Sequence, residues 1–161
     1  MTDPIRPTDD QARGLARRLM ADARFTSLGV VQPGGLPLVT RAGFGLSPAG
    51  APMVFISSLA AHTQALRQNP ACSMLIGEPG GKGDPLTHPR LSLFGRAAFT
   101  GPGEQGHAEM AASYLRGHPK AKLYIAFPDF AFALLQVEAA HLNGGFGKAF
   151  HLTPQDLGIS G

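Results

Sequence analysis

MVFISSLAAHTQALRQNPACSMLI, residues 53–76, reads as a strand, a polar crossover and a second strand. MVFI and ACSMLI are short apolar runs of bulky and β-branched side chains, the pattern of buried strands. Between them two serines leave the first strand, and a short helix carries His62, Thr63 and Arg67 until Pro70 stops it. A plain connection needs only a few turn residues. This one sets hydroxyls and a histidine at a helix N-terminus, where backbone N–H groups lack intrahelical acceptors and favour an anion such as a phosphate. A polar crossover with Ser58 capping the helix uses the same residues, because Ser and Thr favour caps in any case.

On either side of this stretch the pattern is mostly extended. FTSLGVVQ (residues 25–32) and LPLVTRAGFGL (36–46) are expected strands joined by the turn PGG, and APMVFIS (51–57) follows the turn SPAG. RLSLFGRAAFTG (90–101) alternates as a long strand, and FAFALLQVEAAHLN (130–143) and FGKAFHL (146–152) close the chain around Gly144 and Gly145. An amphipathic helix over residues 8–23, capped by Thr8 or Asp9, precedes the strands, and another is expected from Glu104 to Leu115. Many strands, three helices and no β-α alternation predict a mainly β fold, a small antiparallel barrel with peripheral α-helices. With no linker and no repeat, residues 1–161 are expected to form one domain.

Composition narrows the function. A net charge of +3, from Lys and Arg scattered along 161 residues, gives no basic stripe with aromatic platforms, so nucleic acid is not an expected partner. No run approaches a membrane span and MTDPIRPTDD has no apolar signal core, so a cytoplasmic location without membrane attachment is expected. Cys72 is the single cysteine, which excludes an intrachain disulfide and cysteine-cluster metal sites, and it reads as a small core residue. Phe127, Phe130, Phe132 and Leu134 read as core too.

Two motifs fail on their spacing. In GEPGGKG (77–83) Gly77 is one residue too close to Gly81-Lys82 for a Walker loop, and Gly83 stands where a hydroxyl would hold magnesium. His62, His88, His107, His118, His141 and His151 show no i, i+4 pair and no carboxylate partner, so no metal site is expected. No Gly-x-Ser-x-Gly elbow supports a serine hydrolase.

Five stretches in this order carry a resemblance: ARFTSLGVV; MVFISSLAAHTQALRQNPACSMLI; GEPGGKGDPLTHPRLSLFGRA; YLRGHPKAKLYIAFPDF; and HLNGGFGKAF. Together they resemble the FMN-binding split barrel of the pyridoxamine 5'-phosphate oxidase superfamily, in the branch that includes heme-utilisation proteins. The resemblance implies an antiparallel six-stranded split β-barrel with peripheral α-helices, and FMN in a cleft of a homodimer. Its phosphate would lie on Ser57, Ser58, His62 and Thr63, the last two standing where the oxidases carry Arg and Lys. The flavin ring would run beside Arg41, Ala42 and Gly43. Arg90 would reach the FMN from the partner subunit, and Lys148 would set positive charge near the ring. The implied function is an FMN-dependent oxidoreductase acting on an unidentified small substrate, the flavin supplying the chemistry. No catalytic acid or base is assigned. The C-terminal substrate-grasping residues of true pyridoxamine phosphate oxidases are not recognisable here.

The resemblance leaves two alternatives. One is a heme-binding or heme-degrading protein on the same barrel, weighed down by a chain that ends at LTPQDLGISG where longer heme relatives continue. The other is a flavin carrier or sensor without turnover.

Overall fold

The computed structural model describes residues 4–145 and 147–159. Its strands are β1 (Ile5–Arg6), β2 (Phe25–Val31), β3 (Pro37–Leu46), β4 (Pro52–Ser57), β5 (Ala71–Ile76), β6 (Arg90–Thr100), β7 (Phe130–Asn143) and β8 (Ala149–Leu152). The helices are α1 (Asp10–Asp22), α2 (Ala61–Gln68) and α3 (His107–Gly117). The strands β7-β4-β3-β2-β5-β6 form a ring that the β6–β7 pairing closes, every neighbour antiparallel. β8 extends the sheet from β7, and β1 adds to β8 in parallel. This is the antiparallel barrel with peripheral helices that the strand pattern predicts, in the six-stranded split form that the resemblance implies.

Alternation fills the barrel. Leu28 and Val30 on β2, Cys72, Met74 and Ile76 on β5, and Leu91 and Leu93 on β6 point into one buried core. β4 is apolar on both faces for a reason: Val54 and Ile56 join the barrel core, while Met53 and Phe55 pack in a second core with Phe132 and Tyr114 of α3. Phe132 is fully buried there, but Phe127 is 49% exposed, so it lies outside the core that its apolar character predicts. Burial also pushes the Cys72 thiol up to about 11, so this cysteine behaves as a small apolar residue.

Local chemistry sets the helix ends. Asp9 caps α1 by accepting from the Ala12 amide at 2.8 Å. α2 begins later than its serines suggest: Ala60 is the N-cap and no side chain caps the helix, so Ser58 is not a cap. α3 starts at His107, not at Glu104, because Gly106 holds a left-handed backbone at the N-cap and the Glu104 carboxylate turns back to the Gly101 amide at 2.9 Å. The closing strand begins at Ala149, later than FGKAFHL suggests, because Gly147 turns with φ +67° and Lys148 lies outside the ladder; Phe146 lies outside the described residues. Among the described residues no helix is long and apolar enough to cross a membrane.

The C-terminal turn is tied to α1 by charge. Asp156 accepts from Arg13 Nε at 2.7 Å, from the Thr153 amide at 2.8 Å and from the Thr153 hydroxyl at 3.0 Å. The Thr153 amide first, then the Arg13 guanidinium, hold the Asp156 carboxyl below its ordinary value. A carboxyl depressed in the folded state contributes stability above its unfolded value, and that stability is lost as pH falls through the folded value. Asp156→Asn is therefore expected to cost about 1 kcal/mol at neutral pH and to flatten the acid limb of the stability profile. Urea midpoints measured from neutral to acid pH check this; an unchanged acid limb would exclude Asp156 as its source.

Candidate functional site at the split of the barrel

β3 is ten residues long, yet it pairs with β4 only from Gly43↔Phe55 to Leu46↔Pro52. Continued, the register would set Arg41 opposite Ser57, but the ladder stops and the two strands part. The Phe44 amide donates to the Arg24 carbonyl at 2.9 Å on the β2 side. Backbone groups alternate in direction along a strand, so those of Ala42 also face β2 and those of Arg41 face the split. Beyond the split β4 stays bound to β7 through Ser57↔Phe130, and the Ser58 amide donates to the Asp129 carbonyl at 2.7 Å.

α2 crosses the opening. Thr40 Oγ1 and His62 Nδ1 lie 2.8 Å apart, a clasp between β3 and the first turn of the helix. His62 is half-buried, and that burial lowers its pKa, so it is neutral at neutral pH. The structure thus brings His62 against Thr40, the chain neighbour of Arg41, and sets Ser57 and Ser58 where β4 has left β3, while Thr63 is buried.

Within the gap many donors are already engaged. The Ser57 hydroxyl accepts from the Leu59 amide at 3.2 Å, and the Ser57 carbonyl accepts from the Ala60 amide at 3.2 Å. The Thr63 amide bonds the Ala60 carbonyl at 3.1 Å, while the Thr63 hydroxyl is buried with no partner. The first-turn amides of Ala61 and His62 are left without an intrahelical acceptor. Two nearby guanidiniums are engaged by rings: Arg67, further along the helix, stacks over Phe99 at 4.1 Å, and Arg41 lies over Phe25 at 5.2 Å.

Gly43 and Ala42 differ from their neighbour. Ala42 is buried inside the barrel, and Gly43 is bound in the β3–β4 ladder with the Tyr114 phenol lying against its outer face. Arg41 is therefore the one of the three whose backbone meets the split; its guanidinium lies over the Phe25 ring at 5.2 Å. Arg90 and Lys148 lie elsewhere. Arg90 pairs with Asn143 and donates to the Leu86 carbonyl at 3.1 Å, and the Lys148 carbonyl accepts from the Gly144 amide at 2.9 Å. Ser57 at the split pairs with Phe130 at one end of β7, whereas Arg90 pairs with Asn143 at the other end, thirteen residues or about 40 Å along the strand, and Lys148 is bonded just beyond that end at Gly144. Within one chain neither cation reaches the split.

One feature of this site escapes sequence reasoning. An aromatic shelf flanks the β4 side: Phe55 stacks with Phe130 at 5.1 Å and with Tyr124 at 5.9 Å, and Phe127 meets Phe130 edge-on at 6.4 Å. Tyr124 is 36% and Phe127 49% exposed, and Lys120 and Lys122 are exposed just before them. The available signal was the two-residue period of MVFIS, which puts Phe55 on the same face as Ser57.

The histidines are mostly held. His88 accepts from the Gly80 amide at Nδ1 and donates from Nε2 to the Lys82 carbonyl at 2.6 Å, which fixes the GEPGGKG loop. Both ring nitrogens of His118 face carbonyls, those of Tyr114 and Arg24. His107 is buried, its Nε2 unbonded. Among the described residues no group of three or more His, Cys, Asp or Glu converges as for a metal ion.

A split barrel with its opening beside a strand-to-helix crossover defines a class, and the chain's place in it follows from its relatives. Residues 7–157 match the CREG, beta-barrel family, and the chain belongs to that family. It is 34% identical over 118 residues to the non-canonical heme oxygenase HOZ, chloroplastic, of Arabidopsis thaliana, a match covering 72% of this chain and 34% of that one. The chain thus spans about a third of the length of that curated relative. The heme binding protein from Mycobacterium smegmatis superposes with a TM-score of 0.82 at 28% identity, over 96% of this chain and 61% of that one. A Clostridium acetobutylicum protein related to general stress protein 26, of the pyridoxinephosphate oxidase family, superposes with a TM-score of 0.68 at 13% identity, over 93% of this chain and 99% of that one. At that identity the likeness is one of fold.

Proposed function

We propose that this chain binds heme on the barrel, the split and its aromatic shelf forming the site. The observation that carries this reading is the shelf itself. Tyr124 and Phe127 leave flat apolar surface exposed beside Phe55 and Phe130, and the exposed Lys120 and Lys122 precede Tyr124 by four and two residues in the chain. Exposed aromatic faces rimmed by cations suit a planar apolar ring with anionic edges. Relatives named for heme support the same reading. Within the split the donor set offers His62 to the iron: it is neutral, and the Thr40 contact at Nδ1 orients the ring and leaves Nε2 as the ligand atom. Bound heme would supply the iron chemistry; the protein's part is to orient the ring and hold its carboxylates.

FMN is the second reading. It is favoured by the Arg41 backbone facing the split and by the first-turn amides of Ala61 and His62, which could take a phosphate. It ranks second because the guanidiniums of Arg41 and Arg67 are stacked over Phe25 and Phe99, so neither is aimed at those amides. Either ligand fits a homodimeric arrangement in which the partner subunit supplies the cationic groups that Arg90 and Lys148 represent. Phe25, Val39 and Leu75, at 40%, 68% and 43% exposure, give β2, β3 and β5 an apolar outer face for such a partner.

Titrating the purified protein separately with hemin and with FMN decides between the two readings. The expected result is a saturable Soret band with one heme per chain, shifted in His62→Ala, and no retained flavin. Stoichiometric FMN binding, weakened by His62→Ala more than riboflavin binding is, together with no Soret band, would overturn the heme reading in favour of the flavin.

A further inference from the structure

His141 and His151 are ten residues apart, a spacing that suggests no pairing, but the β7–β8 register sets them directly opposite each other. Their rings stack with centroids 4.2 Å apart and planes 17° from parallel. Both side chains lie on the exposed outer face of the sheet, and the edge of Phe94 backs the His141 ring at 4.9 Å. The other histidines differ: the rings of His62, His88 and His118 hold hydrogen bonds to the chain, and His107 is buried. Among the described residues neither ring of the outer pair is hydrogen-bonded to the protein, so their nitrogens remain open to a ligand.

We propose that His141 and His151 form a two-point binding site for a borderline divalent transition metal ion on the outer face of the barrel, with copper(II) held tighter than nickel(II) or zinc(II). Neutral imidazole is the nitrogen ligand such ions prefer, and copper(II) tops the affinity order for a given nitrogen site. Residues opposite each other on antiparallel strands hold their Cβ atoms about 4.5–5.5 Å apart. Bonds of about 2 Å from each ring to one ion need the two donor nitrogens about 3 Å apart. From stacked rings that requires only rotation about χ2, a broad torsion for histidine.

The backbone beneath is fixed, which makes the pair a preorganised chelate. The Thr8 hydroxyl donates to the His151 carbonyl at 3.0 Å, and β1 pairs alongside at Ala149 and Phe150. Partial burial and the neighbouring His151 hold the His141 pKa below its ordinary value, which keeps the ring in its ligand form. With no third His, Cys, Asp or Glu ligand among the described residues, water completes the coordination sphere, so the ion is exchangeable and does not hold the fold together.

The test is a titration of the intact protein with copper(II), nickel(II), zinc(II) and, as a hard-cation control, calcium, followed by calorimetry and copper electron paramagnetic resonance. The expected result is one copper per chain with hyperfine structure from two nitrogens, and no calcium binding. His141→Ala and His151→Ala should each lower copper affinity roughly a hundredfold, the advantage of linking two ligands, and each should leave one nitrogen in the spectrum. His88→Ala should change neither. Both tested side chains are exposed, and His→Asn variants give the same readout should an alanine variant misfold. Copper affinity or nitrogen count unchanged in the His141 and His151 variants would overturn the proposal, as would the absence of saturable copper binding.

Discussion

Gly95→Ala is expected to destabilise the barrel by about 3 kcal/mol or more, the upper end of what overpacking costs. Helical and strand preferences alone predict the opposite sign, because glycine in a strand interior is about 0.5–1 kcal/mol worse than alanine. Geometry decides. The β6–β7 ladder, which closes the ring, slips by one residue between Phe94↔Ala139 and Gly95↔Val137, leaving Glu138 as the extra residue of a bulge. A Cβ built on Gly95 would overlap the Gln136 carbonyl oxygen and sit 3.0 Å from its carbon and 3.1 Å from the Glu138 amide nitrogen. All three atoms are backbone inside a ladder, so no rotamer change relieves the contact and β7 itself must move. Equilibrium urea unfolding should show a lower midpoint with an unchanged slope, and the melting temperature should fall by about 6–12 °C. A neutral or stabilising result would mean that the bulge tolerates a side chain and that barrel closure does not depend on glycine at this position.

The bulge also marks the limit of what the chain reveals before it is folded. Alternation in ACSMLI and RLSLFG shows which side chains enter the barrel, and FAFALLQVEAAHLN has the bounds of β7, because strand period and turn residues are local properties. Asp9 is recognisable as a cap for the same reason. β1 is not: two residues, Ile5 and Arg6, carry no period and exist as a strand only because β8 lies beside them. The start of α2 is displaced from Ser58 to Ala61 because a carbonyl 71 residues away, that of Asp129, takes the Ser58 amide. The split between β3 and β4 is a fact of register, set by closure of the whole ring, and no residue in RAGFGL or MVFISS announces it. Resemblance brought Arg41 and the crossover into one site, yet it carried no information on the shelf that Phe55 makes with Tyr124 and Phe130. The His141–His151 pair is invisible for the same physical reason: spacing along one segment reports neighbours a few residues away, whereas strand pairing sets neighbours at any separation.

Gly43→Ala is expected to cost about 2 kcal/mol and to loosen the outer wall of the site, and the loss should be largely recovered by Tyr114→Phe. The Tyr114 phenol oxygen lies where a Cβ on Gly43 would go, and its Cζ would be 3.3 Å away. A flexible side chain would simply turn aside. Tyr114 cannot: it is 4% exposed, stacked on His118 at 3.9 Å with planes 1° apart, and packed against Phe55 and Phe132 at 5.3 and 5.6 Å. α3, which carries it, is fastened to β3 by the Ser113 hydroxyl donating to the Leu46 carbonyl at 2.7 Å. An added methyl group therefore has to lift α3 from β3. Among the described residues the phenol oxygen makes no hydrogen bond, and burial raises its pKa, so it stays protonated and its removal breaks no bond to them. In the Tyr114→Phe background, Gly43→Ala should cost at least about 1 kcal/mol less than in the parent, a coupling measurable by a double-mutant cycle in urea. Because the ring carbon remains close, rescue should be incomplete. Hemin titration of the same four proteins ties the cycle to function: the Soret band should weaken in Gly43→Ala and return in the double variant. Strictly additive stabilities would show that the phenol yields without moving α3, and the wall of the split would then not depend on this contact.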